Sequence, residues 1–142
     1  MIQLNKNKDI PIIHKCELNR VGKVMTKQEM HQFGLGLLIV YLYYQKGKLI
    51  SANNNISNDY PHLVAENPKK ELLYIWVKTE MYHAIPSVKS IENHEEVINI
   101  SKQFNSTPVF AGIMLTCAST DKNDIPKCGA GYFARFTGFK EI

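Results

Sequence analysis

The sequence predicts an α/β fold with a central mixed sheet, and three observations predict it. A capping pair at Thr26 and Glu29 opens a long apolar segment, three β-rich segments follow, and an amphipathic helical pattern then separates these from two more β-rich segments. Helix, three strands, helix, strand, with one extra C-terminal strand, is an order that lets helices cover both faces of a sheet.

Residues 1–25 are polar apart from "IPII" at 10–13 and read as an N-terminal arm or extra strand ahead of a single domain spanning 26–142. In "TKQE" the side chains of Thr26 and Glu29 stand at the spacing that satisfies the free amides of a first helical turn, so a helix starts at Lys27. It runs to Gly47, a residue suited to the left-handed conformation that ends helices. Its stretch "LGLLIVYLYY", 35–44, is apolar nearly all round but far shorter than the roughly 20 residues that cross a bilayer, which makes it a buried central helix. "KLISAN", "HLVAE" and "ELLYIWVKTEMY" read as strands, divided by the polar loop "NNISNDYP" and the turn "NPKK". Asn93 and Glu96 form a second capping pair, with Val97, Ile100 and Phe104 at helical spacing. "TPVFAGIMLTCAS" is a buried strand, and "GAGYFARFTGF" is the last one. In this register Leu38, Leu42, Leu73, Ile75, Val77, Val97, Ile113 and Leu115 form the core.

Composition narrows the function classes. A chain of 142 residues with 44% hydrophobic and 21% charged residues is globular rather than disordered or fibrous. The formal charge of +4 is compatible with a polyanionic partner without demanding one. No apolar run of signal length opens the chain, so the expected compartment is the cytoplasm, without membrane attachment, as a monomer or small homo-oligomer. Cys16, Cys117 and Cys128 match no zinc spacing and read as structural thiols, a Cys117–Cys128 bridge being the alternative. There is no G-x-S-x-G elbow and no P-loop, and "GLG" at 34–36 lies inside a helix rather than after a strand.

One residue fits the core pattern poorly: Lys78, set between Val77 and Thr79 on the third strand of the series. Together with the element order over 26–142, Pro61-His62 at the start of the second strand and Trp76-Val77-Lys78 on the third, the chain resembles the restriction-endonuclease-like PD-(D/E)XK nuclease superfamily. In active members, the resemblance implies, an Asp follows that Pro and a Glu stands two residues before that Lys. Alternation along the strand points the Glu and Lys side chains to one face, where the carboxylates hold Mg²⁺ beside the scissile phosphate. Here His62 stands at the Asp position and Trp76 at the Glu position, while Pro61 and Lys78 match. The acid sometimes supplied by the first helix has no counterpart in "FGLGLLIV", since Glu29 comes about a turn and a half earlier.

The candidate remnant site is therefore Lys78, His62 and Trp76, with Glu80 and Glu66, and beside them Asp59, as acids that have migrated. Imidazole and indole supply no hard oxygen ligand for Mg²⁺. The sequence thus reads as a non-catalytic binding or assembly module on a degenerate nuclease-like fold, with no cofactor and no metal, and with nucleic acid or protein as partner. The alternative is a divergent Mg²⁺-dependent nuclease that uses migrated carboxylates. A softer metal held by His62 with His31 or His83 has only scattered histidines to support it. Lys78 is expected beside a neutral His62 across neighbouring strands, in a pocket that rejects Mg²⁺ and keeps a capacity for phosphate or carboxylate.

Overall fold

The computed structural model describes residues 18–81, 84–91, 94–117, 127–128 and 132–142. Its elements are a 3₁₀ turn at Leu18–Arg20, α1 (Lys27–Tyr44), β1 (Lys48–Ala52), β2 (Leu63–Glu66), β3 (Leu72–Met81), a second 3₁₀ turn at Val88–Ser90, α2 (His94–Gln103), β4 (Thr107–Cys117) and β5 (Tyr132–Glu141). The five described strands form one sheet in the order β1-β2-β3-β4-β5. β1, β2 and β3 pair antiparallel, as short connections require, whereas the segment carrying α2 returns the chain to make β4 parallel to β3. β5 then adds antiparallel to β4.

Alternation along the central strands separates two cores. Ile75 and Val77 of β3, with Val109, Ala111, Ile113 and Leu115 of β4, pack against Met30, Leu35, Leu38 and Leu42 of α1. The intervening Trp76 and Phe110 face the other way and pack with Ile91 and Val97. Of the expected core, only Leu73 is half-buried; it lies near the start of β3, opposite Thr107, the first residue of β4, at the rim of the sheet.

α1 begins as its sequence requires: the amide of Glu29 donates to Thr26 Oγ1 at 3.1 Å, and the amide of Thr26 donates to Glu29 Oε1 at 2.9 Å. Its end differs. The left-handed residue is Lys46, at φ 59°, and not Gly47. Gly47 is needed for closeness instead, because a Cβ there would stand 3.3 Å from the Leu42 carbonyl and 3.4 Å from that of Glu66.

Of the N-terminal arm, residues 1–17 lie outside the described residues, as do the cap Asn93 and the "GAG" at 129–131. The part that follows is tied down by a bridge between Val24 and Lys127 and by reciprocal bonds, Gly22 N–H to Cys128 O and Cys128 N–H to Lys23 O, both 2.8 Å. Cys128 is disulfide-bonded, which corrects the free-thiol reading for that residue; the side chains of Cys16 and Cys117 lie outside those described. Among the described residues no helix is long and apolar enough to cross a membrane.

Candidate functional site

The site is built where β3 outruns β2. Pairing between the two ends with Leu63 opposite Ile75, so β3 continues from Trp76 to Met81 without a β2 partner. Residues 53–60 fill part of that space, and their own side chains shape them. The Asn55 amide donates to Asn53 Oδ1 and the Ser57 amide to Asn55 Oδ1, each at 3.0 Å, the local turns that short polar side chains favour. The loop thereby offers two carbonyls to the interior.

The first meets His62, which is fully buried. Its Nδ1 accepts from the Val77 amide at 2.8 Å, so that nitrogen carries no proton and Nε2 must be the donor to Ser57 O, 2.9 Å away. The ring is a neutral imidazole with both nitrogens engaged by backbone. Burial holds its pKa below the usual value, and the nearby Lys78 charge acts in the same direction, against the Ser57 and Ile56 backbone bonds. The second carbonyl, of Asn58, accepts from Trp76 Nε1–H at 3.0 Å. Trp76 is likewise fully buried, against Phe110, Ile91 and Val97. The two positions where the resemblance puts carboxylates are thus a hydrogen-bonded plug and an apolar one.

Lys78 is half-exposed on the face it shares with Trp76, and its Nζ lies 3.6 Å from Glu80 Oε1, an ion pair longer than a direct hydrogen bond. Opposite Lys78 on β4 stands Gly112, where a Cβ would be 2.9 Å from Pro86 Cβ; the sheet is covered there by the segment leading to α2. Glu66 is not brought near. It pairs with Leu72, six residues from Lys78 along β3, or about 20 Å at roughly 3.3 Å per residue. Asp59 faces an open groove with Tyr60 and Phe104. Glu29 is committed to the helix cap and to Arg20, whose guanidinium at 2.8 Å leads in holding its pKa down to about 2.

The donor set does not fit a hard cation. Near Lys78 the described residues place Glu80 as the one carboxylate of the candidate set, and among them no group of three His, Cys, Asp or Glu side chains could hold a metal ion. His31 does meet His62, ring centroids 4.4 Å apart and edge to face, but the nitrogens of His62 are already used. His83 lies outside the described residues.

Sequence reasoning passed over two residues that the structure brings to Lys78, Lys27 and Thr79, and weighed His31 only as a metal ligand; all three line a cavity of about 170 Å³ with it, along with Asn58 and Glu80. A threonine among the apolar residues of β3 was a visible signal, but its proximity to α1 depends on tertiary packing.

Residues 28–142 match the model of a family described as a domain of unknown function, DUF8840. No curated protein matches the chain. Among solved structures, the Holliday junction resolvase Hjc of the archaeal hyperthermophile Archaeoglobus fulgidus is similar over 57% of this chain and 66% of its own, just under two thirds, with 21% identity and a TM-score of 0.40.

Proposed function

Because the chain belongs to the DUF8840 family, whose description assigns no activity, we propose from its own site that it is a non-catalytic binding or assembly module on a nuclease-like fold. One observation carries the reading: His62 and Trp76 are fully buried, and their polar atoms are spent on Val77, Ser57 and Asn58. A metal-dependent hydrolase must instead leave oxygen ligands open toward the metal and substrate. Nucleic acid and protein are the partner classes that the fold and the positive charge leave in view.

The Lys78–Glu80 pair supports the rival reading, a Mg²⁺-dependent nuclease with a migrated acid. The deciding experiment is a cleavage assay on single- and double-stranded nucleic acids with Mg²⁺ or Mn²⁺, run beside Lys78→Ala and Glu80→Gln, with calorimetric titration of each metal. The expected result is no saturable metal binding and no cleavage that depends on Lys78. Metal binding lost in Glu80→Gln, together with cleavage lost in Lys78→Ala, would replace the module with the enzyme.

A further inference from the structure

A groove of about 850 Å³ opens on the Trp76 face of the sheet, beside α2. Its floor is Val64 of β2 and Tyr74 of β3, which stands two residues before Trp76 and so points to the same face. Glu96, Ile100 and Gln103, at helical spacing on α2, make one wall, and Phe104 extends it, its ring 6.0 Å from that of Tyr74. Residues 59–61 make the other wall. Both rims are aromatic and face solvent, Tyr60 being 68% exposed and Phe104 59%. Exposed apolar side chains scattered singly need no explanation, whereas two that flank one groove point to a docking surface.

The 59–61 wall is held in place by the fold itself. The Asn58 carbonyl is fixed by Trp76 Nε1–H at 3.0 Å, the Asp59 amide donates to Ser57 Oγ at 3.3 Å, and the His62 amide donates to the Ile75 carbonyl at 2.9 Å. Trp76 and His62 thus brace a rim that a partner need not order, which removes part of the entropic cost of association. Charge then decides what docks. Among the described residues lining the groove, the charged ones are Asp59 and Glu96, two carboxylates in a chain whose formal charge is +4. A phosphate backbone entering there would meet like charge, so nucleic acid is disfavoured at this groove. A cation there is attracted by carboxylate and aromatic ring together.

We propose that this groove docks an arginine-bearing segment of a partner protein. The guanidinium lies against Tyr60 and pairs with Asp59, while an apolar side chain next to it in the segment settles on Val64, Tyr74 and Phe104. Arginine fits the site better than lysine does. Its planar, weakly hydrated guanidinium stacks on an aromatic ring while its fork of N–H groups pairs with a carboxylate, whereas an ammonium is a compact charge that holds its water more strongly. An exposed ion pair alone contributes little, so Asp59 sets the selectivity and the aromatic rim supplies most of the affinity.

This inference rests on the binding-module reading and selects protein among its partner classes. The test is selection of randomised dodecapeptides, displayed on phage, against the full chain, followed by calorimetric titration with a synthetic peptide of the enriched sequence. Enriched sequences are expected to pair an arginine with a neighbouring apolar residue, and the peptide to bind one-to-one, more weakly as sodium chloride rises. Tyr60→Ala and Phe104→Ala, both at exposed positions, should each weaken binding about tenfold while the unfolding midpoint holds. Asp59→Lys should abolish binding of that peptide and favour one with glutamate in place of the arginine, a reversal that a structural role for Asp59 would not give. No enrichment, enriched sequences without arginine, or unchanged binding in Tyr60→Ala would each overturn the proposal. So would a dimer in sedimentation that Phe104→Ala dissolves, which gives the groove to a second copy, or single-stranded DNA binding that Phe104→Ala abolishes, which gives it to nucleic acid. Failure of the selection alongside absent cleavage removes only this docking site, whereas Lys78-dependent cleavage with Mg²⁺ removes the non-catalytic reading.

Discussion

At His62 one side chain takes the place of a strand. β2 stops pairing at Leu63, and the imidazole of the preceding residue accepts the next inward-facing amide of β3, that of Val77, while its other nitrogen ties down Ser57. An aspartate cannot do both. A carboxylate still accepts from Val77, but it has no proton for the Ser57 carbonyl, and ionised it would face that carbonyl in a dry site. His62→Asp, which creates a Pro-Asp pair after Pro61, is therefore expected to destabilise the fold by about 1–3 kcal/mol in urea unfolding without producing Mg²⁺-dependent cleavage. Activity gained at wild-type stability would show that the imidazole is a replaceable plug. The sequence offered His62 as a candidate because it follows Pro61 at a strand start. It could not show which atoms the ring meets, since Ser57 and Val77 reach it only after the 53–60 loop folds over the strand end.

Between elements, the tightest contact is that of α1 with β3. Gly34 lies directly over Thr79, where a Cβ would overlap Oγ1 and come within 3.2 Å of Thr79 Cβ and 3.3 Å of Ile113 Cδ1. Alanine at an open helical position would gain up to about 1 kcal/mol over glycine. Here the overlap wins, and Gly34→Ala is expected to cost a net 1–3 kcal/mol. The two residues should also couple: in a Thr79→Ala background the Gly34→Ala penalty should shrink by about 1 kcal/mol, because the overlapping hydroxyl is gone while the 3.2–3.3 Å contacts need only small adjustments. Additive penalties would place the strain elsewhere. The elements themselves were legible from the chain, because the capping box, the turn residues and the alternation of β3 are local signals. "GLG" in α1 was legible only as something other than a nucleotide loop. Its first glycine serves a helix-to-strand approach between residues 45 positions apart, which no local pattern encodes.

For the whole molecule, the order of elements fixed the topology well. Three consecutive strands on short connections can pair antiparallel, and a helical crossover then allows the parallel β3–β4 pair that joins the halves. The candidate site was legible as residues at odds with a sequence pattern, and its chemistry was not, because burial of His31 and His62 belongs to the assembled α1, loop and β3 together. That assembly leaves a mark on global stability. Both histidines have pKa values lowered by folding, His31 from 6.5 to about 4. An unfolded chain thus binds protons near pH 6 that the folded chain refuses, and stability falls as pH drops. The contribution is fully present above the unfolded value of 6.5, erodes on the way down to about 4, and for His31 alone amounts to about 3 kcal/mol. Glu29 acts in the same direction but only below the ordinary glutamate value of 4.5, so the interval from 6.5 to 4.5 isolates the histidines. Urea unfolding across that interval, in a buffer free of sulfate and phosphate, should show a steady loss of stability with acidification. His31→Gln should flatten the slope by up to one proton's worth. A slope identical in wild type and His31→Gln would mean that folding does not lower the His31 pKa.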